Sequence, residues 1–306
     1  MAKKKAKKKA KLNLWFEYIF FKGLFFLAKI TPFSFNRWVW GKLGLLFFST
    51  LKSRRLLTLE NIYNAKERGF LKHDINEFQL AKQAWKHMGV VGSEFLYFNT
   101  RTPEQLKKIV ELKGEENLKQ VLAKGKGAIM VMAHIGNWEL LGMYLSFIGY
   151  KLSPLVKTQS NELLDKVIQD KRQSVGMKTI PRSGFLRPII AAFKNNEIVP
   201  FLVDQDARKR GIKVNFFGRE ASIPRGPAEF ALRTGTPVIF AYIVKQAPTR
   251  YSLVISEELP VKNTGDYEKD LVENTILFID LIQKIIAEHP TQWLWMHSLW
   301  PSKIRV

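Results

Sequence analysis

From residue 115 onward the chain alternates short, wholly apolar runs with longer segments of helical pattern. Few folds accommodate that alternation. The runs "AIMVMA", "YKLSPLV", "EIVPFLVD", "IKVNFFG", "PVIFAYIV" and "RYSLVIS" read as strands. Between or beside them, "EENLKQVLAKG", "WELLGMYLSFIG", "NELLDKVIQDKRQSVG" and "SGFLRPIIAAFKNN" read as helices, and a last long helix is expected over residues 268–288. A strand without polar alternation has both faces covered, and strands alternating with helices of 10–15 residues form crossover units. The expected fold class is therefore α/β, with a mainly parallel central sheet flanked by helices. Upstream, residues 76–98 place Ala81, Trp85, Met88, Val91 and Phe95 at three- and four-residue steps, the buried face of a further helix. His87 falls on the opposite, wet side and reads as a surface residue.

Composition narrows the function classes. With 46% hydrophobic and 12% aromatic residues in 306, the chain can build a real core. The absence of cysteine excludes disulfides, zinc–thiolate sites and a thiol nucleophile. The net charge of +22 implies anionic partners: nucleic acid, acidic lipid or an acidic carrier protein. Seven lysines stand in the first eleven residues, and "LNLWFEYIFFKGLFFLAKI" and "FSFNRWVWGKLGLLFFSTL" follow them. Lysines beside apolar, aromatic-rich segments read as an anchor on the cytoplasmic leaflet, with spanning and surface-lying forms both open. No small-residue cleavage site follows the first run, which argues against a secretory signal. A basic tail at 1–11, membrane-associated helices over 12–51 and one domain over 52–306 are expected. No nucleic-acid-binding signature accompanies the charge, so nucleic acid is not an expected partner.

The chemistry centres on "AIMVMAHIGNWELLG", residues 128–142. Within one helix, His134 and Glu139 would stand on different faces, since five residues turn the chain by about 500°. Gly136 and Asn137 break the pattern, however. The run before His134 is then a strand, Gly136 allows a turn, and Asn137 caps a helix starting at Trp138. Catalytic groups of open α/β sheets gather beyond the C-terminal strand ends, where a turn histidine and a first-turn glutamate can face each other. Such a pair is a general base with an orienting carboxylate. No G-x-S-x-G elbow and no H-E-x-x-H motif is present, so the base would activate a substrate hydroxyl directly. Asp204 and Asp206 in "FLVDQDARKRG" end another strand and reach the same edge. They could position substrate or bind Arg182; alternatively, two carboxylates two residues apart could hold a divalent metal with a sugar diphosphate, the rival reading of a glycosyltransferase.

"HIGNWE" resembles the H-x4-D/E motif of the glycerolipid acyltransferases. The form "AHIGNWELLG", the blocks from "IPRSGFLRP" through "VDQDARKRG", "FFG" and "IPRGPAEFALRTGTP", and the closing "EHPTQWLWMHSLWP" are similar to the lipid A biosynthesis lauroyl/myristoyl acyltransferase family. Together they cover most of residues 85–300. Leu299 departs from the family's usual arginine, and Arg225 stands where small polar residues are commoner. The resemblance implies acyl transfer from an acyl carrier protein thioester to a hydroxyl of an anionic glycolipid, a lipid A precursor, on the cytoplasmic side of the inner membrane. It makes His134 the base and Glu139 its orienter. Arg182 would hold a phosphate or the developing anion, and Asp204, Asp206, Arg208 and Arg225 would contact substrate. No cofactor or metal is expected, because a base and oxyanion donors suffice for thioester alcoholysis. The aromatic "QWLWMHSLW" reads as a core or membrane-interface cluster, with His297 a lesser candidate than His134.

Overall fold

A computed structural model describes residues 14–15, 18–19, 22–28, 30–98, 101–156, 161–181 and 184–300. The basic tail and Arg182 lie outside the described residues. Two helices, α1 (Phe33–Thr50) and α2 (Lys52–Glu67), precede the long α3 (Glu77–Phe98) and the short α4 (Pro103–Lys107). The alternating region then runs β1 (Val110–Lys113), α5 (Glu115–Leu122), β2 (Ala128–Met132), α6 (Trp138–Phe147), β3 (Leu155–Val156), α7 (Glu162–Ser174), β4 (Ile180–Pro181), α8 (Leu186–Lys194) and β5 (Ile198–Leu202). After a one-turn 3-10 helix at Arg208–Arg210 come β6 (Ile212–Phe216), β7 (Arg219–Ile223), α9 (Gly226–Thr234), β8 (Val238–Ala247), β9 (Arg250–Glu258) and α10 (Tyr267–Glu288).

The central sheet has the order β1-β9-β8-β2-β5. Its pairings are parallel except for β8 with β9, so the expected α/β class and parallel-rich sheet are found. Burial explains the unbroken apolar run of β2. Ala128, Met130 and Met132 face a core shared with Leu140, Leu141 and Leu145 of α6. Ile129, Val131 and Ala133 face the opposite core, with Phe278, Ile279 and Ile282 of α10. Period-two side chains of one strand thus serve two hydrophobic layers. "IKVNFFG" and "YKLSPLV" form strands as expected, but outside the central sheet: β6 pairs antiparallel with β7, and β3 pairs in parallel with β4. β1 is an edge strand that the sequence pattern did not reveal.

α1 packs across α3 through glycines. A Cβ at Gly44 would stand 2.3 Å from the Trp85 carbonyl oxygen, and one at Gly89 2.1 Å from that of Trp40. The helices approach backbone to backbone, which leaves no room for a methyl group. Among the described residues no helix is long and apolar enough to cross a membrane. Large apolar side chains nevertheless face outward along this region: Phe26 is 62% exposed, Trp38 61%, Leu46 53% and Phe47 50%. Gly44→Ala and Gly89→Ala should each lower stability by about 1–3 kcal/mol through overpacking, whereas Gly23→Ala, with open space around it, should not. Thermal unfolding checks this, and unchanged melting in both crossing variants would contradict the packing.

Candidate active site

β2 and β5 lie side by side in parallel, with Ala128 opposite Ile198 and Met132 opposite Leu202. The same register carried two residues past the strands sets His134 beside Asp204. The ladder continues into the site: the Val203 N–H donates to the Met132 carbonyl at 3.1 Å, and the His134 N–H donates to Asp204 Oδ2 at 2.7 Å. The imidazole then swings onto the same carboxylate, with Nδ1 2.7 Å from Oδ1. The indole N–H of Trp293 adds a third bond, to Oδ2 at 2.8 Å. Asp204 is 2% exposed. Burial alone would push its carboxyl up, but the charge of His134 and the bonds from His134 and Trp293 outweigh that, holding it below the usual carboxylate range. An ionised Asp204 on Nδ1 keeps the proton there and leaves Nε2 unprotonated, with its lone pair turned to Gln205 at 3.2 Å.

The turn that presents His134 depends on Gly136. Its φ is +59°, and a Cβ would fall 1.7 Å from the Ile243 carbonyl oxygen, so only glycine fits. Asn137 caps α6 as expected, accepting from the Leu140 N–H at 2.9 Å. Its amide donates in turn to Glu94 of α3, a fully buried carboxylate also held by Lys245 Nζ at 2.8 Å and by the Tyr251 hydroxyl. Trp138 sets its ring edge-on to the imidazole at 4.9 Å, and His297 stacks against it at 5.7 Å.

Two sequence-based expectations are corrected here. Glu139 does not orient His134. Trp138 takes the helix position facing the imidazole, and Glu139, about 100° further round, bonds Arg172 Nη2 at 2.7 Å. His87 is half-buried rather than on the open wet face: its ring meets the Gly136 carbonyl at 3.2 Å, because the turn after His134 covers that side of α3. Trp293 was read only as packing, and it does pack with Phe216, Phe217, Trp295 and Trp300 in the core. What the reading missed is its N–H on Asp204. The signal that could have found it is a tryptophan in a C-terminal motif, since a buried indole needs an acceptor.

Trp138 and Gln205, which both touch the His134 ring, line a cavity of about 710 Å³. Its walls are mainly apolar, from Leu141, Leu152, Val156, Met177, Phe201 and Phe230. Glu139 with Arg172, and Asp206, Arg210 and Arg225, supply its polar part. Arg225 bridges to Glu229 at 3.0 Å. Asp206 accepts from the Arg208 N–H at 2.7 Å, while the exposed Arg208 lies outside the cavity lining, where Arg210 takes the place expected of it. Asp204 and Asp206 therefore point to different partners, Asp204 to His134 and Asp206 to a backbone turn. That arrangement does not match a shared metal ligand pair.

A family model, described as bacterial lipid A biosynthesis acyltransferase, matches residues 2–302. The phosphatidylinositol mannoside acyltransferase of Mycobacterium tuberculosis (strain CDC 1551 / Oshkosh) is 27% identical over 191 residues, 61% of this chain and 58% of that protein. The match thus spans under two thirds of the length of that relative. The lipid A biosynthesis acyltransferase of Haemophilus influenzae is 24% identical across 90% of this chain and 86% of that one. The lipid A biosynthesis palmitoleoyltransferase of Escherichia coli is 24% identical across 92% and 90%. The crystal structure of the 1-acyl-sn-glycerophosphate acyltransferase from Thermotoga maritima aligns at a TM-score of 0.38 and 18% identity, covering 84% of this chain and 99% of that one.

Two predictions follow from this geometry. Asp204→Asn should lower kcat by about 10²–10⁴-fold through loss of the base's orientation. Glu139→Gln should keep kcat within about tenfold and act mainly on KM, as a change in the cavity wall. Steady-state kinetics separate the two, and equal kcat losses would contradict the assignment. The second concerns acid stability. Burial first, and then for His297 the neighbouring His134, push His87 and His297 down to about 4. Both stay neutral in the folded protein while the unfolded chain takes up protons below about pH 6.5, so stability should be full above that value and fall as pH drops toward 4. Melting temperature against pH checks this. His87→Gln should flatten the limb between pH 6.5 and 5, and an unaltered limb would contradict the burial.

Proposed function

Because the chain belongs to the bacterial lipid A biosynthesis acyltransferase family, we propose that it transfers a fatty acyl chain from an acyl carrier protein thioester to a hydroxyl of a lipid A precursor. The observation that carries this reading is the clamp on the imidazole: Asp204 holds His134 at Nδ1, and the two side chains against the ring, Trp138 and Gln205, line a largely apolar cavity. The acceptor hydroxyl gives its proton to Nε2 and attacks the thioester carbonyl carbon. When the tetrahedral intermediate collapses, the carbon–sulfur bond breaks and the proton passes from His134 to the departing sulfur. No protein nucleophile is required. Each methylene of the acyl chain buried in the cavity contributes about 0.8 kcal/mol to binding.

Arg172, Arg210 and Arg225 along the cavity suit phosphate groups of an anionic acceptor, and the net charge of +22 suits an acidic carrier as donor. The outward-facing Phe26, Trp38, Leu46 and Phe47 suit contact with the inner membrane from its cytoplasmic side. A different glycolipid acceptor is the second reading, favoured by the likeness to phosphatidylinositol mannoside acyltransferases.

The test is an assay in detergent with radiolabelled acyl carrier protein thioester, offering a lipid A precursor and a mannosylated phosphatidylinositol in parallel. Wild-type transfer to the lipid A precursor, with His134→Ala reduced at least about 10³-fold, is the expected result. Transfer only to the mannosylated lipid would assign the second acceptor. Unimpaired transfer by His134→Ala would overturn the proposed mechanism.

A further inference from the structure

Gln205 is the side chain at the reaction centre that the base and its clamp leave unexplained. It stands between Asp204, committed to His134, and Asp206, turned to the Arg208 backbone, and it lines the cavity beside Trp138 and Glu139. Its Nε2 lies 3.2 Å from His134 Nε2. With the Nδ1 proton given to Asp204, the outer nitrogen of the imidazole is an acceptor, so the amide of Gln205 is the donor. The base is therefore capped before substrate arrives, by a neutral group with two N–H bonds.

An acceptor hydroxyl must take that same lone pair, which releases the amide into the cavity. The carbonyl oxygen of the thioester under attack comes within a few ångströms of Nε2, because the attacking oxygen lies between Nε2 and the carbonyl carbon that carries it. The neighbouring polar groups have other partners: Asn137 caps α6 and bonds Glu94, and Arg172 bonds Glu139. We propose that Gln205 leaves His134 Nε2 when the acceptor binds and donates its amide N–H to the thioester carbonyl oxygen, stabilising the oxyanion of the tetrahedral intermediate. The electron pair of the C=O π bond moves onto that oxygen as the new carbon–oxygen bond forms, and returns when the carbon–sulfur bond breaks. The hydroxyl proton goes to His134 and then to sulfur, so Gln205 loses and gains none. This inference rests on the acyl-transfer reading above.

The experiment compares wild type with Gln205→Met, which keeps the volume, and Gln205→Glu, which keeps the shape but offers no donor when ionised. Each is assayed for kcat and KM with acyl carrier protein thioester and whichever acceptor the wild type uses, and its melting temperature is recorded. Gln205→Met should lose about 10²–10³-fold in kcat with KM little changed and melting preserved. Gln205→Glu should not restore kcat, and should move the acid limb of the kcat/KM profile to higher pH, since a carboxylate beside Nε2 favours the imidazolium. Turnover of Gln205→Met at or above the wild-type rate would overturn the inference, as would a loss that tracks only a lowered melting temperature. Absence of transfer by the wild type itself would instead remove the acyl-transfer reading, and this inference with it.

Discussion

The parallel register of β2 on β5 is the constraint on which the site depends. Met132 opposite Leu202 places His134 opposite Asp204 two residues later, at the carboxyl edge of the sheet. No loop has to find a partner for the histidine; the sheet's hydrogen-bond ladder continues directly into the Asp204 carboxylate. A slip of one residue would exchange the faces of β2, drive its two hydrophobic layers into the wrong cores and separate the pair. The core packing that selects the register therefore also selects the pairing of His134 with Asp204.

Burying a carboxylate at that point costs several kcal/mol in desolvation, and three N–H donors offset it. One comes from the backbone of His134, one from its ring and one from the C-terminal segment through Trp293. That last donor explains why a segment distant in sequence belongs to the site. Trp293 also makes a bridge with Ile135, and α2 holds the same segment through Asn61, whose amide donates to the carbonyls of Trp295 and His297. α2, α3 and the C-terminal segment form a frame around the base, and the imidazole is held between Trp138 and His297 with little freedom to rotate.

What the sequence made legible was everything local in origin. The apolar runs marked β2, β5 and β8 because a strand buried on both faces has no polar alternation. Gly136 and Asn137 marked the turn and the helix cap because each has a conformational reason to be there. His134 at a strand end was found for the same reason. The partner of His134 was misassigned because the choice between Glu139 and Asp204 is decided by which strands are neighbours, and seventy residues separate the pair in sequence. Glu139 was near in sequence and plausible by motif, yet one step along the helix surface put Trp138 against the imidazole instead. His87 is hidden from the sequence for a similar reason: its helix has one obvious apolar stripe, and nothing in the local pattern shows that the 134–137 turn lies across the other side.

The proposed chemistry depends on which carboxylate holds His134. In protein carrying ¹⁵N-labelled histidine, the imidazole nitrogen shifts report the tautomer of His134 directly, independent of turnover. With Asp204 as the partner, the proton sits on Nδ1 in wild type and in Glu139→Gln, and redistributes toward Nε2 in Asp204→Asn. An unchanged tautomer in Asp204→Asn, with redistribution in Glu139→Gln, would contradict it and return the role to Glu139.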